Sequence, residues 1–340
     1  MLVFSVPRFF FTTWVIVVSL QMHGYRSCIE KERKGLLELN AYVNSEFPYD
    51  WPNDTDSDCC QWDRVKCNFT TGSVVGLFLN STYTVRPLLN LSLLYPFREL
   101  KTLNLDYFNS TGWFDNIHEL KDLRNLKLLD LSGNMLSGPL PGLCQLKNLR
   151  ELDLSRSEVI GRLPQCFSSL TKLEVLDISS NKFSGTSPSL ISNLSSLQYL
   201  SLSDNEFEGV FSVELIANLS KLKVFKLSTR TSFLQIENKI SLQPRFQLSV
   251  IELQYCNLET VPRFLQHQKD LRLINLSNNK LTRISPSWFL ENYPRLQVLL
   301  LQNNSFTMLQ FPRLLLNQSM QILDVSSNKF YQGLPESIVW

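Results

Sequence analysis

A short apolar motif that recurs at a nearly constant spacing constrains this chain more than any other feature. It reads LRELDLSRSEVIGRLP from Leu149, LEVLDISSNKFSGTSP from Leu173 and LQYLSLSDNEFEGVFS from Leu197. The shared pattern is L-x-x-L-x-L-x-x-N-x-L/F-x-G, and we call its fourth residue the register residue. The register residues are Leu77, Leu103, Leu129, Leu152, Leu176, Leu200, Phe225, Ile251, Ile274, Leu299 and Leu323.

The spacing of the register residues predicts the class of fold. The ten successive intervals are 26, 26, 23, 24, 24, 25, 26, 23, 25 and 24 residues long. Within L-x-L both leucines point to one side of a strand and the central residue points to the other. One repeat cannot bury its apolar side alone, so the turns must stack and share a core. The sequence therefore predicts an α/β leucine-rich-repeat solenoid, a right-handed horseshoe or superhelical arc with a parallel sheet on its concave side.

Two further positions of the motif have predicted structural roles. An inward asparagine can bond backbone groups of neighbouring turns that a buried bend would leave unpaired. It occurs as Asn134, Asn181, Asn205, Asn279, Asn304 and Asn328. Cys256 takes this position as a small buried thiol, whereas Ser157 and Arg230 depart from the rule. The glycines that follow allow the tight backbone that leads to the convex side. They are Gly138, Gly161, Gly185, Gly209 and Gly333.

Composition and motif content exclude several classes of function. Of the 340 residues 44% are apolar, which is enough for one elongated domain with a continuous core. The formal net charge is +2, from 33 basic and 31 acidic residues, so no nucleic-acid partner is indicated. Beyond the N-terminal leader the histidines are His118 and His267, too scattered for a catalytic or metal cluster. Because hydrolase, zinc-protease, phosphate-loop and kinase motifs are missing, we predict no enzymatic activity, no cofactor and no bound metal.

The first 27 residues have the layout of a signal peptide. Arg8 precedes a mostly apolar run of twelve residues, 9–20, and the small residues Gly24 and Ser27 then offer cleavage sites. An uncleaved anchor helix is the alternative, but this run is short of the roughly 20 residues that span a bilayer. No later stretch reaches the roughly 18 apolar residues of a membrane helix. The sequence thus predicts a leader over 1–27 and entry into the secretory pathway.

Residues 28–70 are predicted to cap the open end of the solenoid, which would otherwise expose its core. Near-helical spacing predicts a capping helix with the apolar residues Leu36, Leu37, Leu39 and Val43. Four cysteines in a secreted chain predict two disulfides. Adjacent Cys59 and Cys60 cannot easily pair, so Cys28–Cys59 and Cys60–Cys67 is the simplest connectivity. A zinc site is the rival, disfavoured because a secreted chain favours oxidation and this segment has no histidine.

The cap motifs carry a resemblance to a known family. C-x-E-x-E-R-x-x-L-L is followed by D-C-C-x-W-x-x-V-x-C-x-x-x-T-G-x-V, and both are similar to the N-terminal cap of plant extracellular leucine-rich-repeat proteins. With repeats of the L-D-L-S-x-N-x-F-S-G-x-x-P kind, the chain resembles the plant receptor-like proteins. These are cell-surface receptors without a kinase domain. The resemblance runs from Cys28 to Trp340, of which residues 71–340 are predicted to form about eleven repeats, the last incomplete.

The resemblance implies recognition of an extracellular ligand, a peptide, glycan or protein, in defence or development. The signal would pass through a partner receptor kinase acting as co-receptor. The implied location is the extracellular side of the plasma membrane, or the apoplast for a chain without an anchor. The resembled receptors continue with further repeats, a second cap, a membrane helix and a short tail, whereas this chain ends part-way through a repeat at QGLPESIVW.

Two alternative functions remain open. Plant polygalacturonase inhibitors share this cap and a similar length, but they end in a Cys-containing cap that this chain lacks. A secreted inhibitor of a cell-wall-degrading enzyme therefore ranks second. A truncated product without independent activity ranks third, and the uncapped last turn favours it.

Two cysteines and two irregular stretches leave the structure of the repeats open. Cys144 and Cys166 occupy nearly equivalent places in adjacent turns, so they form either a convex-side disulfide or two buried thiols. The stretches 109–116 and 230–246 lack a clean motif and are candidate bulges or loops. Ordinary irregularity of the repeats explains them better than a binding site.

Ten sequons predict possible N-glycans in a secreted chain. They begin at Asn53, Asn68, Asn80, Asn90, Asn109, Asn193, Asn218, Asn275, Asn303 and Asn317. Asn275 is the central residue of its L-x-L, so a glycan there would occupy the concave face. Such a glycan would argue against ligand contact at this turn.

The residues that flank and split L-x-L are the candidate ligand-facing residues. They include Glu151, Asp153, Ser155, Asp177, Tyr199, Ser201, Lys226, Ser228, Glu252, Gln254, Asn275, Ser277, Leu300 and Gln302. This mixed polar column suits a peptide, glycan or protein better than a small apolar molecule. Each residue taken alone is better explained as solvated scaffold than as a ligand contact, since Asp153 and Asp177 belong to the generic motif.

Overall fold

The computed structural model is built around one long sheet that runs the length of the chain. It describes residues 27–43, 51–52, 57–79, 91–107, 117–136, 140–186, 188–229, 234–237, 243–282, 286–308 and 320–331. The long sheet has 12 strands. They are β1 Val65–Cys67, β2 Val74–Phe78, β3 Thr102–Asn104, β4 Leu128–Asp130, β5 Glu151–Asp153, β7 Val175–Asp177, β9 Tyr199–Ser201, β12 Val224–Ser228, β14 Val250–Gln254, β15 Leu273–Asn275, β16 Val298–Leu300 and β17 Ile322–Asp324.

The register of this sheet follows the predicted motif through every turn. Strands β1 and β2 pair antiparallel, and every later pair of neighbours is parallel. Leu77 lies opposite Leu103, and each subsequent register residue lies opposite the next, ending with Leu299 opposite Leu323. The predicted solenoid with a parallel sheet is therefore confirmed.

The core is a continuous apolar column behind this sheet. The register residues from Leu77 to Leu299 are all at most 1% exposed, and Leu323 in the last described strand is partly buried. The apolar residues two positions later, such as Leu154 and Ile178, are also fully buried. Burial of one such side chain contributes about 1.5–3 kcal/mol, so repetition of the motif supplies most of the apolar stabilisation.

A ladder of buried asparagines joins successive turns, as predicted. Asn181 is representative, because its Nδ2 donates to the carbonyl of Leu154 in the preceding turn at 2.7 Å. Its Oδ1 accepts from the amides of Ser157 and Val159 at 3.0 and 2.9 Å. The inward amide thereby satisfies backbone groups that the bend leaves unpaired.

The turns with Ser157, Cys256 and Arg230 replace the ladder asparagine, each in its own way. Ser157 Oγ donates to the carbonyl of Leu131 at 2.8 Å, and Cys256 Sγ contacts the carbonyl of Leu227 at 3.4 Å. Cys256 is buried and unpaired, as predicted. In the third turn Arg230 lies outside the described residues, and Thr229 Oγ1 donates to the carbonyl of Asn205 at 3.3 Å.

The residue just before the ladder position has a left-handed backbone in almost every turn. It lies four positions after the register residue. Its φ is positive at Tyr107, Gly133, Arg156, Ser180, Asp204, Tyr255, Asn278, Asn303 and Ser327. Such a conformation is uncommon in residues other than glycine. Here it turns the chain sharply at the edge of the sheet. Their side chains stand at the rim of the concave face.

The remaining described elements lie between the strands of the long sheet, on the flank and convex side. Short 3-10 helices span Cys59–Gln61, Leu91–Leu94, Ile117–Asp122, Pro141–Gln145, Gln165–Ser169, Ser189–Asn193, Val213–Leu215 and Arg263–His267. The α-helices are α1 Glu30–Val43 and α2 Ser287–Asn292. A three-stranded parallel sheet joins β6 Ile160–Gly161, β8 Lys182–Gly185 and β10 Glu206–Phe207. Of the predicted turn glycines, Gly138 and Gly333 lie outside the described residues, whereas Gly161, Gly185 and Gly209 all have positive φ.

The N-terminal cap closes the first turns with a helix and two disulfides. Helix α1 confirms the predicted capping helix and buries Leu36 and Leu39 completely. Cys28 pairs with Cys59, and Cys60 pairs with Cys67. Glu32 of the helix accepts a hydrogen bond from the Val74 amide at 2.7 Å, which ties α1 to β2. The cysteines are disulfide-bonded, so they do not form the rival zinc site.

The structure describes only part of the two irregular stretches. Residues 109–116 lie outside the described part of the chain. Within 230–246 the structure contains strand β13 Leu234–Ile236, which pairs in parallel with β11 Gly209–Phe211, so the expectation of a bulge or loop was wrong there. Phe246 from the same stretch is fully buried. The sequence analysis did not predict this strand because it pairs outside the long sheet, where the L-x-L pattern does not apply.

Candidate binding groove on the concave face

A polar groove of about 490 Å³ lies on the concave face over β5 to β14. Its lining residues are Ser132, Asp153, Ser155, Arg156, Asp177, Ser179, Ser180, Tyr199, Ser201, Ser203, Asp204, Lys226, Ser228, Glu252 and Gln254. They include four carboxylates and two cationic side chains, so the groove is acidic on balance. The repeat explains this lining, because side chains one and three positions after the register residue point away from the core.

Three aspartates stand side by side at the acidic end of the groove. Asp130, Asp153 and Asp177 are direct neighbours across β4, β5 and β7. Oδ2 of Asp130 accepts from Asn104 at 3.1 Å, and Oδ2 of Asp177 accepts from the Tyr199 hydroxyl at 3.0 Å. Oδ1 of Asp153 accepts from the Ser155 amide at 2.8 Å. Burial, together with the flanking carboxylates, raises the pKa of Asp153 to about 6.

A chain of polar contacts continues across the other strands. Lys226 Nζ lies 5.8 Å from the centre of the Tyr199 ring and 2.8 Å from Oε1 of Glu252. Gln254 Nε2 donates to Oε2 of Glu252 at 3.3 Å. Together with the bond between Tyr199 and Asp177, these contacts link four neighbouring strands. Lys226 and Glu252 are half-buried, so water still weakens their ion pair and its main effect is to fix side-chain positions.

A bridge across three turns forms one rim of the groove. Arg156 Nη1 donates to the Tyr107 hydroxyl at 2.9 Å. Gly133 lies between them, and a Cβ atom there would stand 2.7 Å from Cδ1 of Tyr107. The glycine therefore leaves the space that the Tyr107 ring occupies. Arg156 is held at the rim, close enough for Coulombic interaction with Asp153 and Asp177.

Most of the predicted ligand-facing residues meet in this groove. Those that line it are Asp153, Ser155, Asp177, Tyr199, Ser201, Lys226, Ser228, Glu252 and Gln254. Glu151 is exposed on β5 but lies outside the lining, and Leu300 and Gln302 stand on later turns. Sequence reasoning missed Ser132, Arg156, Ser179, Ser180, Ser203 and Asp204. Ser132, Ser179 and Ser203 lie three positions after a register residue, in the column already predicted. Arg156, Ser180 and Asp204 lie one position further on, so extending the column to the left-handed bend would have found them.

The next turn, at β15, presents a closed surface in place of a groove. Asn275 is 7% exposed and Ser277 is fully buried, although both occupy the predicted ligand-facing column. Oδ1 of Asn275 accepts from the Ser277 amide at 3.1 Å. The Ser277 hydroxyl has no hydrogen-bond partner. Neither side chain is available to a ligand.

The remaining predicted features lie away from the groove. Cys144 and Cys166 are paired on the convex side. Burial raises the pKa of the Cys256 thiol, which keeps it protonated and unreactive. Of the sequons, Asn53, Asn80, Asn90, Asn109 and Asn317 lie outside the described residues. Within the described ranges no cluster of three or more His, Cys, Asp or Glu could hold a metal ion, and no helix is long and apolar enough to cross a bilayer.

Comparisons with known proteins identify the repeats and the cap independently. A family described as "Leucine-rich repeat region" matches residues 79–307, and "Leucine rich repeat N-terminal domain" matches residues 29–68. The first match covers most of the chain and contains every strand that lines the groove. The second spans helix α1 and all four cap cysteines.

Curated relatives and solved structures agree with these matches. Receptor-like protein 9a of Arabidopsis thaliana is 58% identical over 99% of this chain, and Receptor-like protein 9b is 56% identical over 95%. The alignments cover 44% and 43% of those relatives, so the chain spans less than half of their length. Among solved structures, the ectodomain of the Arabidopsis thaliana receptor kinase GASSHO1/SCHENGEN3, in complex with CASPARIAN STRIP INTEGRITY FACTOR 2, shares the fold with a TM-score of 0.61. The sequence identity is 24%, and the match covers 91% of this chain and 42% of the ectodomain. The chain belongs to the leucine-rich-repeat receptor-like proteins of plants.

Proposed function

We propose that this chain is an extracellular recognition module that binds a peptide or protein ligand in the concave groove. The groove between β5 and β14 carries this proposal, because it gathers nine of the predicted ligand-facing residues and six more polar side chains on one sheet. Membership of the receptor-like proteins supports a role in perception. The fold offers the same face in every turn, so specificity resides in the outward side chains.

The charge of the groove defines the ligand further. Four carboxylates face two cationic side chains, and one of the cations, Lys226, is already paired with Glu252. A ligand that presents lysine or arginine to the Asp153 and Asp177 end would offset the excess negative charge. The polar lining disfavours a small apolar molecule.

The proposal extends to the route of the signal. The resembled receptors are cell-surface receptors without a kinase domain, so in this proposal a bound ligand acts through another protein. A partner receptor kinase that contacts the ligand or the groove rim would complete the receptor, in defence or in development. The site of action is the extracellular side of the plasma membrane or the apoplast, reached through the predicted leader.

A displayed library of linear peptides tests the proposal. The full chain is secreted from plant cells, purified and used to select binders. We expect the recovered peptides to be enriched in lysine and arginine and to bind less tightly as salt rises. The double substitution D153N/D177N should weaken binding at least about tenfold, which corresponds to about 1.4 kcal/mol.

The matched control for this experiment is E151Q, which removes an exposed carboxylate on the same sheet outside the groove. It should leave the affinity unchanged. Binders that lose the same affinity in E151Q as in D153N/D177N would reflect general charge attraction. Binders that neither variant affects would place recognition on another surface and overturn the proposal.

A further inference from the structure

Three sequons with the same sequence differ in solvent exposure within the solenoid. Asn193, Asn218 and Asn275 are each followed by Leu-Ser. Asn193 and Asn218 are exposed, whereas Asn275 is 7% exposed. An N-glycan fits the folded protein only where Nδ2 of the asparagine projects into solvent, so a chain that carries a sugar at a buried asparagine cannot reach this fold. Sequence alone predicts all three as sites, and the structure separates them.

Asn193 and Asn218 are structurally equivalent residues of adjacent turns. Each lies seven positions before its register residue, Leu200 or Phe225. The same backbone bend follows both, since the amides of Ser195 and Ser220 donate to the carbonyls of Asn193 and Asn218 at 3.0 and 2.9 Å. These residues end or follow the 3-10 segments opposite the long sheet. Their side chains donate no hydrogen bond within the described part of the chain, so a glycan would displace no contact.

Asn275 lies in the middle of the long sheet. It is the last residue of β15 and stands between Glu252 of β14 and Leu300 of β16. Its Oδ1 accepts from the amide of fully buried Ser277. A sugar on Nδ2 would have to emerge on the concave face among the side chains of these neighbouring strands and force them apart. A chain that carried it could not close this part of the concave face.

We propose that Asn193 and Asn218 carry N-glycans and that Asn275 does not. The two glycans would stand one turn apart on the convex side, behind the turns that form the groove. The convex surface of these turns is thereby closed to protein partners, and the groove stays open. The inference rests on the proposed entry into the secretory pathway, which supplies the glycosylation machinery.

Three matched substitutions test the inference, because each removes the hydroxyl of one sequon. S195A and S220A affect exposed serines, and S277A affects a buried hydroxyl that has no hydrogen-bond partner. The full chain with its own leader is expressed in plant cells, and the secreted protein is analysed by electrophoresis and by glycopeptide mass spectrometry. We expect S195A and S220A each to lose one glycan and S277A to keep the wild-type mobility and glycan pattern.

The outcomes separate this inference from the function on which it rests. A glycan on Asn275 in the secreted protein, or an unmodified Asn193 or Asn218 beside other occupied sequons, would overturn the inference alone. A chain that retains its leader and carries no glycan at any sequon would overturn both the inference and the proposed extracellular function. Occupied Asn193 and Asn218 with bare Asn275 would support both.

Discussion

Two stretches of the same sheet show how one framework produces different surfaces. Across β5 to β14 the outward residues include Asp153, Tyr199 and Lys226, which leave an open polar groove. On the β15 turn the same column holds Asn275 and Ser277, which are buried. The register residues are apolar and buried in both stretches. The inward residues therefore dictate the fold, and the outward residues alone decide whether a turn can bind.

The largest loss of stability is expected when a buried register residue is substituted. Leu176 is fully buried between Leu152 and Leu200. L176A should lower the free energy of unfolding by about 2–5 kcal/mol, because it removes apolar contacts and leaves a cavity. V175A on the same strand faces outward and is the control, with an expected loss below about 1 kcal/mol. Urea unfolding followed by circular dichroism measures both, and equal losses would contradict the division into inward and outward residues.

The pH dependence of stability probes the open groove. The pKa of Asp153 is raised to about 6 in the folded state, so the folded chain binds more protons than the unfolded chain between about pH 4 and 6. The contribution of Asp153 to stability is thus greatest at low pH and is lost as pH rises through 6. D153N cannot ionise, so its stability relative to wild type should rise by no more than about 3 kcal/mol from pH 4 to 7.

Urea unfolding at several pH values measures this difference. E151Q, on the exposed end of the same strand, is the matched control and should keep the wild-type pH profile. If the stability difference between D153N and wild type does not change with pH, Asp153 is not desolvated in the groove. The acidic end would then be an ordinary solvated surface.

A smaller difference is expected between two buried serines. Ser157 and Ser277 are both fully buried. The Ser157 hydroxyl donates to the carbonyls of Leu131 and Ser155 at 2.8 and 3.0 Å, whereas the Ser277 hydroxyl has no partner. S157A should cost about 1–2 kcal/mol, and S277A should change stability by less than about 0.5 kcal/mol. Thermal and urea unfolding check this, and a larger loss in S277A would mean that its hydroxyl is bonded after all.

Much of the framework was predictable because its residues repeat. Two kinds of residue recur at a nearly constant spacing: a leucine that is buried in the core, and an asparagine that bonds the backbone groups of a bend. Their roles could therefore be predicted from the sequence. The strand at 234–236 was not predictable, because it pairs on the flank and follows no L-x-L pattern. The burial of Asn275 was hidden for another reason, since it depends on how neighbouring side chains cover the column. The sequence analysis missed Arg156 because this residue lies at the left-handed bend that follows β5, whereas the predicted column contained only residues on and next to the strands.

Radical footprinting of the secreted chain, alone and with a lysine- or arginine-containing peptide from the displayed library, tests the central claim most directly. Tyr199 lies in the groove, Leu300 lies two turns beyond it on β16, and Tyr331 is an exposed reference. The account predicts that the peptide lowers oxidation of Tyr199 severalfold and leaves Leu300 and Tyr331 unchanged. Protection of Leu300 without protection of Tyr199 would contradict it, because the ligand would then bind outside the groove.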